Sequence, residues 1–319
     1  MKISVAFIVY NGANYMRTQL DSILVQTHKV DEIIVVEDAS SDNTIEILNN
    51  YSKQNPSLFF IYYNEKNLGS YKSIEKAIKN CTGDIIILAD HDDYWEPNKV
   101  ATIVNYLEQN PSIDGVFTNG FLMDETSIVN DNYVLWDSMC FPYKSIRKPE
   151  EIKMYINTIE NTATGAAMTI RNNLPFLKQP FPVIKYLIHD RWLAINLAEK
   201  NTLGILNEKL IRYRLHPKQE TGGRKDEIEK YIEINKNLYF EKINVGSFKE
   251  LRYILNKIEI NLHIQKEIKK VEYKIFNNDN YIDILKNKHN KYLIFGFKKW
   301  PLLSLLRIIK KWFRPVASQ

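Results

Sequence analysis

The sequence predicts an α/β protein built on a mostly parallel sheet, and three observations carry that expectation. Apolar runs without polar alternation, Ile3 to Tyr10, Ile33 to Val36 and Ile85 to Ala89, read as strands buried on both faces. Between them lie segments with apolar residues at helical spacing, so that strand and helix alternate. The runs also finish in acids: Glu37-Asp38 follows the second, and Asp90-His91-Asp92-Asp93 closes the third. In open α/β sheets the ligand crevice lies beyond the carboxyl ends of the strands. Carboxylates set this close repel one another unless a cation lies between them, which points to a divalent metal and a phosphate cargo.

In chain order, Asn14–Gln26 is expected to be a helix with Met16, Leu20, Ile23 and Leu24 on one face. After the strand at Glu32–Val36, the Ser and Asp residues of Ala39-Ser40-Ser41-Asp42-Asn43-Thr44 suit the cap of a helix holding Ile45, Leu48 and Tyr51. Leu58–Tyr63 is a third strand, Asn64–Gly69 a turn, and Ser70–Lys79 a short helix with Ile74 and Ile78 on one side. The strand ending at Asp90 follows. Glu96-Pro97 is expected to open the next helix, since proline suits a first turn, and Val100, Val104 and Leu107 continue it.

Gly115–Thr118 reads as another strand. From Gly120 to Glu160 the pattern is irregular and aromatic, with Trp136, Phe141, Tyr143 and Tyr155, and a lid or acceptor surface is expected there. Gly165–Ile170 reads as a strand, Ile188–Ala194 opens a helix, Leu203–Tyr213 is a last strand, and Arg214–Gln219 leaves it as a loop. Beyond Gly223 the composition shifts to Lys, Glu, Ile and Asn with helical periodicity. The expected divisions are therefore residues 1–118, 119–222 and 223–319, the last a helical appendage.

The formal charge of +5 over 319 residues is too small to argue for nucleic acid, but its placement is uneven. Phe295–Pro315 carries six basic residues and no acid. Leu302, Leu305, Leu306, Ile309 and Trp312 share one helical face there, and Arg307, Lys310, Lys311 and Arg314 another. That pattern fits a helix lying on an anionic membrane surface; its rival is packing on the protein itself or on a second subunit, a possible homodimer. Cys81 and Cys140 are too few for a disulfide framework or zinc site, which is compatible with the cytoplasm. The first apolar run follows a single Lys2 and lacks a cleavage pattern, so it reads as a strand and not a signal peptide. A peripheral protein on the inner face of the cell membrane is the expected location.

Seven motifs stand in order: Val9-Tyr10-Asn11-Gly12; Ser22-Ile23-Leu24-Val25-Gln26-Thr27; Glu37-Asp38-Ala39-Ser40-Ser41-Asp42; Asn67-Leu68-Gly69; Asp90-His91-Asp92-Asp93 with Trp95 and Pro97; His189-Asp190; and Tyr213-Arg214-Leu215-His216. Over about residues 1–220 they resemble the inverting family 2 glycosyltransferases of the GT-A fold, most closely the bacterial branch that builds surface polysaccharides and includes rhamnosyltransferases. The resemblance implies a GT-A type nucleotide-binding sheet. It also implies metal-dependent transfer of rhamnose or another hexose from a UDP- or dTDP-linked donor to a lipid-linked or cell-surface glycan.

By the same resemblance, Asp38 accepts a hydrogen bond from the pyrimidine, Tyr10 and Asn11 flank the base, and Asn67 belongs to the donor site. The family more often has two aspartates and a glycine where Glu37, Asp38 and Ala39 stand, which leaves uracil or thymine open. Asp90 lies near the ribose and Asp92 on Mn2+ or Mg2+ bridging the phosphates, a hard cation choosing carboxylate oxygen. Asp93 is an acceptor-side candidate, and His91 structural. Asp190 resembles the general base; at a helix start it is expected to stay ionised, although a pKa raised toward neutrality would suit a base better. His216 resembles a late histidine near the metal or diphosphate, and Arg214 is suited to phosphate oxygens. Lys72 is within reach of a phosphate or simply solvated. Trp95, Trp136 and Trp192 offer sugar-stacking faces but are more often core. Two rival readings remain: a sugar nucleotidyltransferase, disfavoured because Asn11-Gly12-Ala13-Asn14 is not a glycine-rich basic loop, and a non-catalytic glycan- or nucleotide-binding scaffold.

Overall fold

The computed structural model describes residues 1–219, apart from 140, 142, 144–145, 147–148, 159–161, 185–186 and 218. The expected helical appendage at 223–319, its basic tail and Cys140 lie outside the described residues.

The first half alternates as expected: β1 (Ile3–Val9), α1 (Met16–Leu24), β2 (Glu32–Glu37), α2 (Thr44–Gln54), β3 (Phe59–Tyr63), α3 (Ser70–Asn80) and β4 (Ile85–Asp90). The runs of Ile, Val and Leu are buried along the whole length of β1, β2 and most of β4 because helices cover both faces. Each such aliphatic side chain contributes about 2 kcal/mol by leaving water. The strands pair in parallel in the order β3-β2-β1-β4. Sequence order reverses between β1 and β4, and a reversal of this kind opens a crevice at the carboxyl ends.

The second half has β5 (Tyr94–Trp95), α4 (Lys99–Gln109), β6 (Gly115–Met123), β7 (Val129–Val134), α5 (Leu135–Ser138), α6 (Pro149–Thr158), β8 (Met168–Arg171), α7 (His189–Glu199) and β9 (Leu203–Arg214). β8 is antiparallel to β4, β6 antiparallel to β8, and β9 parallel to β6. Two reversals restore the original direction, so β9 delivers its carboxyl end to the same edge as β4. β8, running backwards, brings its amino end and the turn Gly165–Ala167 to that edge as well. The division expected at residue 118 falls inside β6, so both halves share one sheet.

Three local expectations are corrected. The helix after Pro97 starts at Lys99, because Tyr94 and Trp95 pair with β9 and Glu96 is held in the preceding turn by Arg212 at 2.6 Å. Gly165–Ala167 is a 3-10 turn, and the strand starts only at Met168. The aromatic stretch from Gly120 to Glu160 contains a hairpin and two helices instead of an irregular lid. Trp136, Phe141 and Tyr155 are core, packed with Phe117 of β6 at centroid distances of 5.2 to 5.6 Å, mostly edge to face, while Tyr143 is half-buried. Trp95 and Trp192 are buried too.

Candidate active site

The ends of β1, β2, β3 and β4 lie level, since Val9 pairs with Glu37, Glu37 with Tyr63 and Ile8 with Asp90. The loops that follow are stitched together by short polar side chains. Asn11, at φ 48°, receives Ser41 N–H on its Oδ1 at 2.8 Å and donates its own N–H to Ser40 Oγ at 2.9 Å. Gly12 N–H donates to Thr44 Oγ1 at 2.8 Å, and Ala13 N–H to Asp42. A side chain at Gly12 would collide with Val9 and with the His91 ring, which lies against the glycine. His91 is thereby a packing partner of the first loop, the structural role expected of it.

Asp38 is buried and fully engaged. Oδ1 accepts Asn64 Nδ2 at 2.7 Å and Leu68 N–H at 2.8 Å, while Oδ2 accepts Gly69 N–H at 2.8 Å. It therefore shapes the loop 64–69, and Asn67 closes that loop by accepting Gly69 N–H. The N-cap position of helix α2 is Asn43, and the Asp42 carboxylate just before it receives Thr44 N–H at 3.0 Å. Glu37 holds Ser40 N–H, and Ala39 takes the left-handed φ of 60° that the family's more usual glycine adopts without strain. Tyr10 stands exposed at the end of β1.

In the acidic loop the side chains diverge in role. Asp90 is half-buried at the strand end, opposite Ile8. Asp92 Oδ2 lies 2.9 Å from His216 Nε2, with 17% of the aspartate side chain exposed. Burial pushes the Asp92 carboxyl up, but the hydrogen bond from His216 and the fields of His91 and His216 more than offset it, so it lies below the usual carboxylate range. Asp93, expected on the acceptor side, turns inward instead: it is 1% exposed and accepts Arg214 N–H at 2.9 Å. Burial and the neighbouring charges of Asp92 and Asp90 push its pKa well up.

Beneath this loop Lys99 is fully buried. Its ammonium donates to Ala166 O at 3.0 Å and lies 4.1 Å from the centre of the Trp95 ring. Burial pulls its pKa down to about 7. Arg214, expected on phosphate, is 2% exposed, and its Nε and Nη1 are bonded to the protein while Nη2 is buried without a hydrogen-bond partner among the described residues. Nε donates to Asp92 O at 2.6 Å, and Nη1 to Asp124 O, Glu125 O and Ser127 Oγ. It fastens the β6–β7 turn to the acidic loop. Lys72 is paired with Glu75 at 2.7 Å.

Asp190 enters from α7. Its Oδ2 accepts Gly165 N–H at 3.1 Å, and the other oxygen accepts Arg191 N–H. A helix start favours the ionised form, but here burial outweighs His189, Arg191 and both N–H groups, and the pKa is raised. A carboxylate shifted in that direction is the better proton acceptor near neutrality.

The sequence profile of glycosyl transferase family 2 matches residues 4–173, more than half of the 319-residue chain. The chain belongs to glycosyltransferase family 2. An uncharacterized glycosyltransferase of Rickettsia typhi is 30% identical over 233 residues, 72% of this chain and 69% of its own. One from Haemophilus influenzae is 27% identical over 311 residues, 97% of this chain and 90% of its own. Among solved structures, TarS 1-349 of S. aureus in complex with UDP-GlcNAc is similar with a TM-score of 0.53 at 16% identity, covering 82% of this chain and 80% of that one. The mannosyltransferase PcManGT of Pyrobaculum calidifontis, in complex with GDP-Man and Mn2+, gives a TM-score of 0.50 at 12% identity, covering 98% and 84%. At such identities the likeness shows the fold, which is GT-A.

In this family 2 glycosyltransferase the carboxylates of the acidic loop are the donors that a hard divalent cation takes, while the His216 imidazole is a softer donor that such ions take less readily. Asp92 Oδ2 and His216 Nε2 are 2.9 Å apart, close to the roughly 3 Å between neighbouring ligands whose bonds are about 2.1 Å. Among the described residues no three His, Cys, Asp or Glu side chains form a closed cage. A few protein donors with phosphate oxygens and water completing the shell is the arrangement Mg2+ and similar ions favour.

Sequence reasoning missed Tyr15, Lys99 and Gly165. Tyr15 lies in the turn before α1 and Lys99 at the start of α4, where an aromatic or a lysine is unremarkable, and the small residues after Gly165 look like strand. Their sequence neighbours do not reveal that reversed strands bring distant loops beside them. No helix among the described residues is long and apolar enough to cross a membrane.

Proposed function

We propose that this family 2 glycosyltransferase moves a hexose, rhamnose among the candidates, from a UDP- or dTDP-linked donor to a lipid-linked or cell-surface glycan, with inversion at the anomeric carbon. The observation that carries the reading is the meeting, at one edge of the sheet, of the loops bearing Asp38, Asp90 and Asp92 with the start of α7, where Asp190 bonds the Gly165 turn. Donor-binding neighbours of the same fold support it: TarS is solved with UDP-GlcNAc and PcManGT with GDP-Man and Mn2+.

In this reading the base lies against the loop 64–69 that Asp38 shapes, between Tyr10 and Asn11, and the ribose lies at Asp90. Asp92 and His216 would hold Mn2+ or Mg2+, which when bound would offset charge on the departing nucleoside diphosphate. Asp190 takes the proton of the acceptor hydroxyl as that oxygen bonds to the anomeric carbon. The bond from that carbon to the diphosphate oxygen breaks with its electron pair on the diphosphate. Attack from the face opposite the leaving group inverts the centre. Asp93 and Arg214 act from behind as supports of the acidic loop, and the basic tail from Phe295 onward rests on anionic membrane at the inner face.

The test is incubation with Mn2+ and a panel of UDP- and dTDP-sugars, reading diphosphate release and thermal protection. One donor hydrolysed and protective only with metal is expected. Protection by none of them, with or without Mn2+, contradicts the reading.

A further inference from the structure

Tyr15 lies in the turn between β1 and α1, held by its N–H to Gly12 O at 3.2 Å. Its ring meets two residues from the far end of the domain. The His216 imidazole stacks on it at a centroid distance of 5.0 Å, tilted by 45°, and the Arg214 guanidinium carbon lies 4.5 Å from the ring centre. Those two residues hold Asp92 at both of its ends, Arg214 Nε at the carbonyl and His216 Nε2 at the carboxylate.

The two are not held in the same way. Arg214 is the last residue of β9 and is fixed by its forked hydrogen bonds to the β6–β7 turn. His216 lies beyond the strand, after the final ladder bond from Leu215 N–H to Met123 O. Its backbone N–H bonds within its own loop, to Gln219 Oε1 at 2.9 Å. The Tyr15 ring lies against the imidazole and is a surface that sets the plane in which Nε2 meets Asp92.

We propose that Tyr15 is a positioning residue that sets the orientation of His216 for cation binding with Asp92. This deepens the functional reading above and rests on it. The hydroxyl is not required; the aromatic face is. The first loop of the sheet thus controls a ligand contributed by the loop after the last strand, and Tyr15 substitutions act on metal affinity without touching the metal.

The experiment titrates Mn2+ alone into the full-length protein and follows the free-ion electron paramagnetic resonance signal, with thermal melts on every variant. Tyr15→Phe should bind as the native protein does. Tyr15→Leu should bind about 3- to 10-fold more weakly, the worth of one aromatic pair, and in a His216→Ala background the same Tyr15→Leu change should make no difference. Asp92→Asn should lose binding. If Asp92→Asn loses Mn2+ but Tyr15→Leu keeps native affinity, or if the Tyr15 and His216 effects add independently, the positioning role is overturned while the cation site stands. If Asp92→Asn binds Mn2+ as the native protein does, the site itself is wrong and the proposal falls with it. Tyr15→Met, which keeps bulk without a ring, serves in place of Tyr15→Leu should that variant fail to fold and is expected to weaken binding equally.

Discussion

Asp92 and His216 stand 124 residues apart in the chain and 2.9 Å apart in space. The sheet explains the meeting. β4 ends just before Asp92, β8 and β6 reverse direction in turn, and β9 then runs parallel to β6 and finishes beside the acidic loop. A shift of either strand by one residue would turn the pairing side chains to the opposite face. The acidic edge therefore depends on a register fixed by buried residues far from it.

Asp38 is the first place to test that dependence. Removing its carboxylate takes the acceptor from Leu68 N–H and leaves the Asn64 amide with Ser73 and Gly69 N–H with Asn67 as their remaining acceptors. Asp38→Ala should cost about 3 kcal/mol in urea denaturation. Donor KM should rise at least tenfold as the loop 64–69 loosens. Asp38→Asn, with one acceptor oxygen left, should fall between.

Gly12→Ala tests the close approach of the first loop to the acidic loop. The added carbon would lie 2.5 Å from Val9 Cγ2 and 2.7 Å from His91 Cδ2. The expected loss is about 1–3 kcal/mol of stability, and Mn2+-dependent turnover should drop with it. Native stability in a denaturant titration would show that the loops are less tightly joined.

The raised pKa of Asp190 gives two pH signatures. With Asp190 as the proposed base, activity needs its ionised form, so kcat/KM should decline on the acid side at a pH above the ordinary carboxylate value of 3.8. For stability the sign is opposite. The native state keeps this proton to higher pH than the unfolded chain does, so the contribution is full below 3.8 and is lost as pH rises through the native pKa. Asp190→Asn does not titrate, and its stability relative to the native protein should improve as pH rises across that window.

The tail is expected to act separately from the chemistry. Truncation before Phe295 should release the protein from vesicles containing anionic lipid, with binding weakened further by salt in the native protein. Turnover on a water-soluble acceptor should persist. Vesicle binding unchanged by truncation would refute a membrane role for the tail.

The parallel half of the fold is legible because its strands are continuous apolar runs that end in acids, a pattern that survives without tertiary knowledge. Only the first four residues of β6 stand out in the sequence, because its continuation through Asn119 and Gly120 looks like a turn. In the structure Asn119 makes that stretch a bulge, its Oδ1 accepting Gly120 and Trp136 N–H. The two-residue β5 is defined by its partner β9 alone, and no local signal marks it. At the site, motifs pick out Asp38, Asp92, Asp190 and His216, whereas the inward turn of Asp93 and the burial of Arg214 follow from packing. Motif spacing says where a charged residue sits along the chain, not which side of the loop its side chain takes.

The central claim is that Asp190 receives the acceptor's proton across from a donor clamped at the strand ends. The direct measurement pairs donor calorimetry with turnover in Asp190→Asn at about pH 7.5. Native donor affinity with transfer reduced by about a thousandfold or more is expected. Transfer at the native rate would contradict the account.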